Sequence, residues 1–273
     1  MDGTLLHSDG KISKNSYDIL QPLIDRGLPF AIATGRTRDN AIGALAPLKL
    51  KSPMICDNGS MIYDPLEGKF INKKILPAAH SRDAISLIQE HNISPFINTY
   101  DGGSLVIYYS TPVNEAQDAY YTKRSAYGLS KYIKDESYTR FRQDAVFNFS
   151  MLDTYENLIG LFDKFKENKN YTSLMFPAEF FEGYYWLEIL PANSGKGQAI
   201  DFLKEKYRPE KVVCFGDNLN DLCMFERADV KVAPSNAVAE IRKAADIVIG
   251  HCDDDSVARF ISKHMGDLEN NPE

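Results

Sequence analysis

At 273 residues, 44% hydrophobic and 25% charged, with a formal charge of −7, the chain has an ordinary globular composition, and its charge weighs against a nucleic-acid partner held through phosphates. It has no apolar run of membrane-spanning length, its opening Met1-Asp2-Gly3-Thr4 has no signal-peptide character, and no two of Cys56, Cys214, Cys223 and Cys252 form a C-x-x-C pair. The expectation is a cytoplasmic protein of two modest domains with no disulfide frame, zinc site, nucleic-acid or membrane partner; the sequence leaves its oligomeric state open. After a polar loop over 5–11, Ser13 caps a predicted helix that runs past Pro22, where it can kink, to a stop at Gly27. The apolar run 28–33 reads as a strand ending in Thr34-Gly35-Arg36, followed by a helix to Leu45. A second short strand, 53–56, ends at Asp57-Asn58-Gly59, and 60–63 adds another.

From Pro77 the pattern changes from crossovers to hairpins. A helix over 79–91 precedes strands over 93–100 and 105–109, joined by a turn at Asp101-Gly102-Gly103. A polar segment containing Tyr120, Tyr121, Tyr127, Tyr132 and Tyr138 follows. The spacing then predicts a strand over 145–152, an amphipathic helix over 155–167 and strands over 171–176 and 180–190. Beyond Pro191 the α/β pattern returns. Asn193-Ser194-Gly195-Lys196-Gly197 opens a helix over 198–206, a strand from Val212 ends at Gly216-Asp217, and a helix over 221–226 follows. The rest reads as strand 230–233, helix 237–244, strand 247–249, a solvated loop and N-cap at Asp253-Asp254-Asp255, helix 255–265 and a frayed tail over 266–273. The fold class is therefore α/β, a Rossmann-like parallel-sheet core in two parts, 1–77 and 191–273, with an inserted α+β domain over 78–190.

Ligands of open α/β sheets sit beyond the carboxyl ends of the strands, and those ends deliver Thr34-Gly35-Arg36, Asp57-Asn58-Gly59 and Gly216-Asp217, with Asp2-Gly3-Thr4 at the start. A hydroxyl and free backbone N–H groups suit a phosphoryl oxygen, Lys196 suits its charge, and the carboxylates suit a hard cation such as Mg²⁺. Together these residues fit phosphoryl transfer.

Asp2-Gly3-Thr4-Leu5-Leu6, Ala33-Thr34-Gly35-Arg36, Ser194-Gly195-Lys196-Gly197 and Gly216-Asp217-Asn218-Leu219-Asn220-Asp221 resemble, in order, the four motifs of haloacid-dehalogenase-type phosphatases, and within them the Cof-type sugar-phosphate phosphatases. The resemblance implies a cap domain in the insertion, a small phosphorylated metabolite as substrate and Mg²⁺ as cofactor. It implies Asp2 as general acid/base whose carbonyl also faces the metal, and Thr34, Gly35 and Asn220 as phosphate contacts. Lys196 is implied as the catalytic lysine neutralising the phosphate, Asp217 as a metal ligand and Asp221 as support for the metal shell. Asp2 matches the second aspartate of D-x-D-G-T, so the family's nucleophile falls ahead of Met1, on a strand flanked by those ending at Thr34 and Asp217. The expectation is that a longer natural chain carries that strand and aspartate. The competing expectations are a catalytically inactive sugar-phosphate-binding protein, which keeps the phosphate contacts without the nucleophile, and a phosphotransferase or mutase of the same fold. Smaller departures from the family pattern stand at Val232-Ala233-Pro234-Ser235-Asn236-Ala237 and Gly250-His251-Cys252-Asp253.

Overall fold

The structure is a computed structural model and describes residues 1–101, 104–126, 130–178 and 181–269. Gly102 and Gly103 of the expected hairpin turn, Tyr127, the start of the expected strand at Phe180 and residues 270–273 of the expected tail lie outside them. In chain order the elements are α1 (Lys14–Asp25), β1 (Ile32–Ala33), α2 (Arg38–Leu45), β2 (Met54–Cys56), β3 (Met61–Asp64), β4 (Lys69–Lys73), α3 (Ala78–Glu90), β5 (Phe96–Asp101), β6 (Ser104–Tyr109), α4 (Glu115–Ala126) and β7 (Lys131–Lys134). They continue with β8 (Val146–Thr154), α5 (Tyr155–Lys166), β9 (Tyr171–Pro177), β10 (Tyr184–Pro191), α6 (Lys196–Tyr207), β11 (Val213–Phe215), α7 (Leu222–Phe225), β12 (Val230–Pro234), α8 (Ala239–Ala244), β13 (Ile247–Ile249) and α9 (Ser256–Glu269). No helix among the described residues is long and apolar enough to cross a membrane.

The chain divides into two compact units, Met1–Asn72 with Lys196–Glu273, and Lys73–Gly195. The first carries two sheets. One has the order β1-β2-β3-β4, with β1 and β2 parallel; the other is the parallel run β11-β12-β13. Both draw on one apolar core, in which Ile55 and Ile62 meet Cys214, Met224, Phe225 and Ala233. Among the described residues β1 pairs with β2 alone and β11 with β12 alone, so each sheet ends on an open edge. Ser13 caps α1 by accepting from the Ser16 N–H at 2.8 Å, and the helix runs through Pro22 to Asp25. Asp255, at φ 56°, joins α1 to the start of α9: it accepts from Ser13 and, at 2.8 Å each, from Asn15 and Ser16, while His7 Nε2 stands 2.8 Å away.

The second unit is built on a six-stranded sheet of order β7-β6-β5-β8-β10-β9. Helices α3 and α5 cover one face through Ile85, Ile88, Leu158, Leu161 and Phe165. The tyrosine-rich segment read as polar turns out to contain α4 and the edge strand β7. Asn114 Oδ1 accepts from the Gln117 N–H at 2.8 Å at the start of α4, Glu115 and Asp118 lie in its first turn, and Lys123 and Arg124 in its last, an arrangement that suits the helix dipole. Its buried side is made of Ala116, Gln117 and tyrosines, which is why no leucine-like periodicity announced it. The strand expected from 180 begins at Tyr184, after Gly183 at φ 82°, and α9 extends through the part of the expected tail that lies within the described residues.

Candidate active site

Short parallel strands in the first unit end in loops, and each loop contributes to one hydrogen-bonded cluster. After β1, Thr34 is 2% exposed; its N–H donates to the Ile55 carbonyl at 2.9 Å and its hydroxyl oxygen accepts from the Arg36 N–H at 3.0 Å. This fixes the Thr-Gly-Arg bend. Arg36 then reaches Asp2: Nε donates to Oδ2 at 2.9 Å and Nη2 to Oδ1, a two-pronged pair that sets the carboxylate's orientation.

Thr4 joins Asp2 to Asp217. Its hydroxyl lies 3.3 Å from the Asp2 carbonyl oxygen and contacts Asp217 Oδ1 directly. Two oxygens that the family resemblance implies as metal ligands thus meet at one small hydroxyl, and an oxygen-only donor set fits a hard cation such as Mg²⁺. Burial and the adjacent Asp221 push the Asp217 carboxyl up to about 6, so a divalent cation here would relieve a repulsion built into the site. Asp221 is buried and fully engaged. Oδ1 accepts from Lys196 Nζ at 2.6 Å, and Oδ2 from the N–H groups of Asp217 at 2.9 Å and Asn218 at 3.2 Å. Its oxygens are spent on shaping the loop and holding the lysine, which suits a supporting place behind Asp217. Burial disfavours charge on both members of this pair, yet each offsets the penalty for the other: Lys196 is held above its ordinary value and Asp221 below its own.

Close approach explains two glycines. A Cβ on Gly216 would fall 2.7 Å from the Asp221 Cβ, and one on Gly35 would fall 3.0 Å from Asn58 Nδ2. Asn58, fully buried at φ 49°, also accepts through Oδ1 from Asn220 Nδ2 at 3.0 Å. It therefore stands between Gly35 and Asn220, two of the expected phosphate contacts, which come from different ends of the chain. The structure brings Asp2, Thr34, Gly35, Lys196, Asp217, Asn220 and Asp221 into this one unit. Sequence reasoning assigned no part to Arg36, Asn58 or Asn236, although all three lie in loops it had singled out. Asn236 Nδ2 donates to the Gly3 carbonyl at 2.7 Å while its Oδ1 accepts from the Cys252 N–H at 3.0 Å, tying the Asp2 loop to the segment after β13.

The family model described as haloacid dehalogenase-like hydrolase matches residues 1–261. The chain is 27% identical over 291 positions to the 5-amino-6-(5-phospho-D-ribitylamino)uracil phosphatase of Bacillus subtilis, an alignment covering 96% of this chain and 95% of that one. It is 28% identical over 276 positions to the pyridoxal phosphate phosphatase of Escherichia coli, covering 97% and 96%. Among solved structures it is similar to a haloacid dehalogenase-like hydrolase from B. subtilis, with a TM-score of 0.78, 24% identity and 97% of each chain covered. That likeness shows the fold, a Rossmann-like core with an inserted cap.

Proposed function

The chain belongs to the haloacid dehalogenase-like hydrolases, in their Cof-type group, and on that premise we propose that it is a Mg²⁺-dependent phosphatase of small phosphorylated metabolites, sugar phosphates among them. The observation that carries the proposal is the joining of five separate segments by four side-chain contacts: Asp2 with Arg36, Thr4 with Asp217, Lys196 with Asp221, and Asn220 with Asn58. In this reading Thr34, Gly35 and Asn220 bind phosphoryl oxygens and Lys196 neutralises their charge. Asp2, oriented by Arg36, protonates the leaving oxygen and later takes a proton from the attacking water. The Asp2 carbonyl and Asp217 are the metal ligands, with Asp221 behind them, and the cation supplies charge neutralisation at the phosphoryl group. The phosphatase names of the relatives favour this reading over a phosphate-binding sensor.

The covalent step falls in this proposal to an aspartate two positions ahead of Asp2 and outside the 273 residues, which forms the aspartyl-phosphate. Support comes from the sheets. The open edges of β1 and β11 belong to one unit, where a strand between them would find backbone partners. A polypeptide extended upstream to restore a strand and its aspartate is expected to release phosphate from sugar phosphates only with Mg²⁺, while the 273-residue chain binds phosphate without turnover. Robust Mg²⁺-dependent hydrolysis by a protein whose mass confirms a start at Met1 overturns the nucleophile assignment. In the extended polypeptide, Asp217→Ala is expected to abolish Mg²⁺ binding in calorimetry; binding equal to the parent's overturns the metal assignment.

A further inference from the structure

The segment Gly250-His251-Cys252-Asp253 departs from the family pattern, and no step of the phosphatase reading uses it. In an extended chain consecutive side chains point to opposite faces, but here the backbone turns at once. His251 caps the one-turn 3₁₀ helix Cys252–Asp254 by accepting from the Asp253 N–H at 3.2 Å, and Asp255 closes the turn at φ 56°. The turn gathers three unlike ligand types. Cys252 Sγ lies 3.7 Å from His251 Nδ1 and 3.9 Å from Asp253 Oδ1, and Nδ1 lies 3.6 Å from Asp253 Oδ2.

The corners of a tetrahedral zinc site, with bonds of about 2.0–2.3 Å, stand about 3.3–3.7 Å from one another, so these separations need shrink by only a few tenths of an ångström. His251 and Asp253 have that freedom and an ion can reach them, their side chains being 46% and 40% exposed, while Cys252 is buried beneath. Accepting the Asp253 N–H takes a lone pair on Nδ1 and so puts the ring proton on Nε2, the tautomer that a metal at Nδ1 needs. The ion takes that lone pair in place of the cap bond, and the N–H of exposed Asp253 passes to water. Ser8 holds the Asp253 carboxylate from outside, its N–H donating to Oδ1 and its hydroxyl to Oδ2 at 2.7 Å each, as ligating carboxylates are held, and lone pairs remain on both oxygens. Capping accounts for His251 and Ser8 for Asp253, but neither calls for a sulfur beside both.

We propose that His251 Nδ1, Cys252 Sγ and the Asp253 carboxylate bind Zn²⁺, with water as the fourth ligand. Thiolate and imidazole suit this cation and not Mg²⁺, so the site differs in chemistry from the one at Asp217. On binding, the Cys252 thiol releases its proton to solvent and the sulfur gives a lone pair to the metal. The chain has no C-x-x-C pair, and a mixed site of this kind needs only one cysteine. Its position has a consequence. Ser8 grips Asp253, and Asn236 accepts from the Cys252 N–H at 3.0 Å while donating to the Gly3 carbonyl at 2.7 Å, so a bound ion pins the Asp2 loop to the segment after β13 within one compact unit. The proposal does not depend on the phosphatase reading, in which none of the three ligands takes part.

The test reads the metal itself. The untagged 273-residue protein, with Mg²⁺ in excess, is titrated with Co²⁺ as a spectroscopic stand-in for Zn²⁺. A thiolate-to-Co²⁺ charge-transfer band in the near ultraviolet is expected, and Zn²⁺ is expected to bleach it. Cys252→Ser is expected to lose the band, and Cys223→Ser, which removes the one cysteine that is not fully buried, to keep it. His251→Ala, a change at an exposed position, is expected to weaken Co²⁺ binding at least about tenfold. Zn²⁺ is expected to raise the thermal midpoint of the parent more than that of His251→Ala. The absence of a charge-transfer band, a band that survives Cys252→Ser, or equal Co²⁺ affinity in parent and His251→Ala overturns the proposal. Should Cys252→Ser fail to fold, the comparison of parent with His251→Ala decides alone.

Discussion

Replacing Lys196 by Met removes the ammonium that meets Asp221 Oδ1 at 2.6 Å, in a pair whose side chains are only 5% and 3% exposed. Breaking a buried pair at one end leaves an uncompensated charge and costs about 3–5 kcal/mol, a large part of a typical folding free energy. The loss has a pH signature. In the parent, Asp221 is held below its ordinary 3.8 against the effect of burial, so its contribution to stability is present above that value and lost as pH falls through the lower folded one. In Lys196→Met burial acts without the ammonium and the folded carboxyl rises above 3.8; its contribution then favours folding at low pH and is lost as pH rises. The gap between parent and variant is therefore expected to narrow as pH falls from neutrality to about 4. Adding Asp221→Asn is expected to recover about half of the loss, because an amide has no charge to desolvate. Urea unfolding followed by far-UV circular dichroism measures all three proteins, with Trp186 fluorescence reporting the cap separately. A Lys196→Met protein within about 0.5 kcal/mol of the parent, or a gap that does not change with pH, refutes the reasoning.

Asp2→Asn, in the extended and active polypeptide, is expected to lower kcat by about two to four powers of ten while sugar-phosphate affinity stays within a few-fold, which steady-state and binding measurements separate. Gly216→Ala places a methyl group 2.7 Å from the Asp221 Cβ and is expected to cost about 1–3 kcal/mol, read as a lowered thermal midpoint. For Asp255, hydrogen bonds from Ser13, Asn15 and Ser16 outweigh burial and hold the carboxyl at about 2, so it stabilises the fold above its ordinary 3.8 and ceases to do so as pH falls through about 2. Asp255→Asn, which tolerates the positive φ, is expected to lose on the order of 1–2 kcal/mol at neutral pH and nothing further in acid; an equal acid slope in parent and variant speaks against this link between α1 and α9.

Local pattern accounts for what was legible in advance. Buried parallel strands are short unbroken apolar runs, so the ends of β1, β2 and β11, and with them Thr34, Asn58 and Asp217, could be found by where the run gives way to glycine and carboxylate. The capping serine of α1 and the apolar stripe of α5 were equally readable. Segments whose buried side is not aliphatic were not: α4 buries alanine, glutamine and tyrosine, and the short strands β4 and β7 lie at sheet edges, with half-buried and exposed residues giving no alternation to detect.

By itself the sequence determined the alternation of short strands and helices and the loops at the strand ends, because each depends on residues within a few positions of one another. Only the tertiary structure decided which of those residues touch. Arg36 reaches back 34 positions to orient Asp2, Asn220 crosses 162 to meet Asn58, and Asn236 spans 233 to hold Gly3. A polar patch on the cap sheet was hidden for the same reason. Asn98, Asn148, Ser150 and Glu188 are unremarkable polar residues in their own strands, and only the register of β5, β8 and β10 sets them side by side on one buried face.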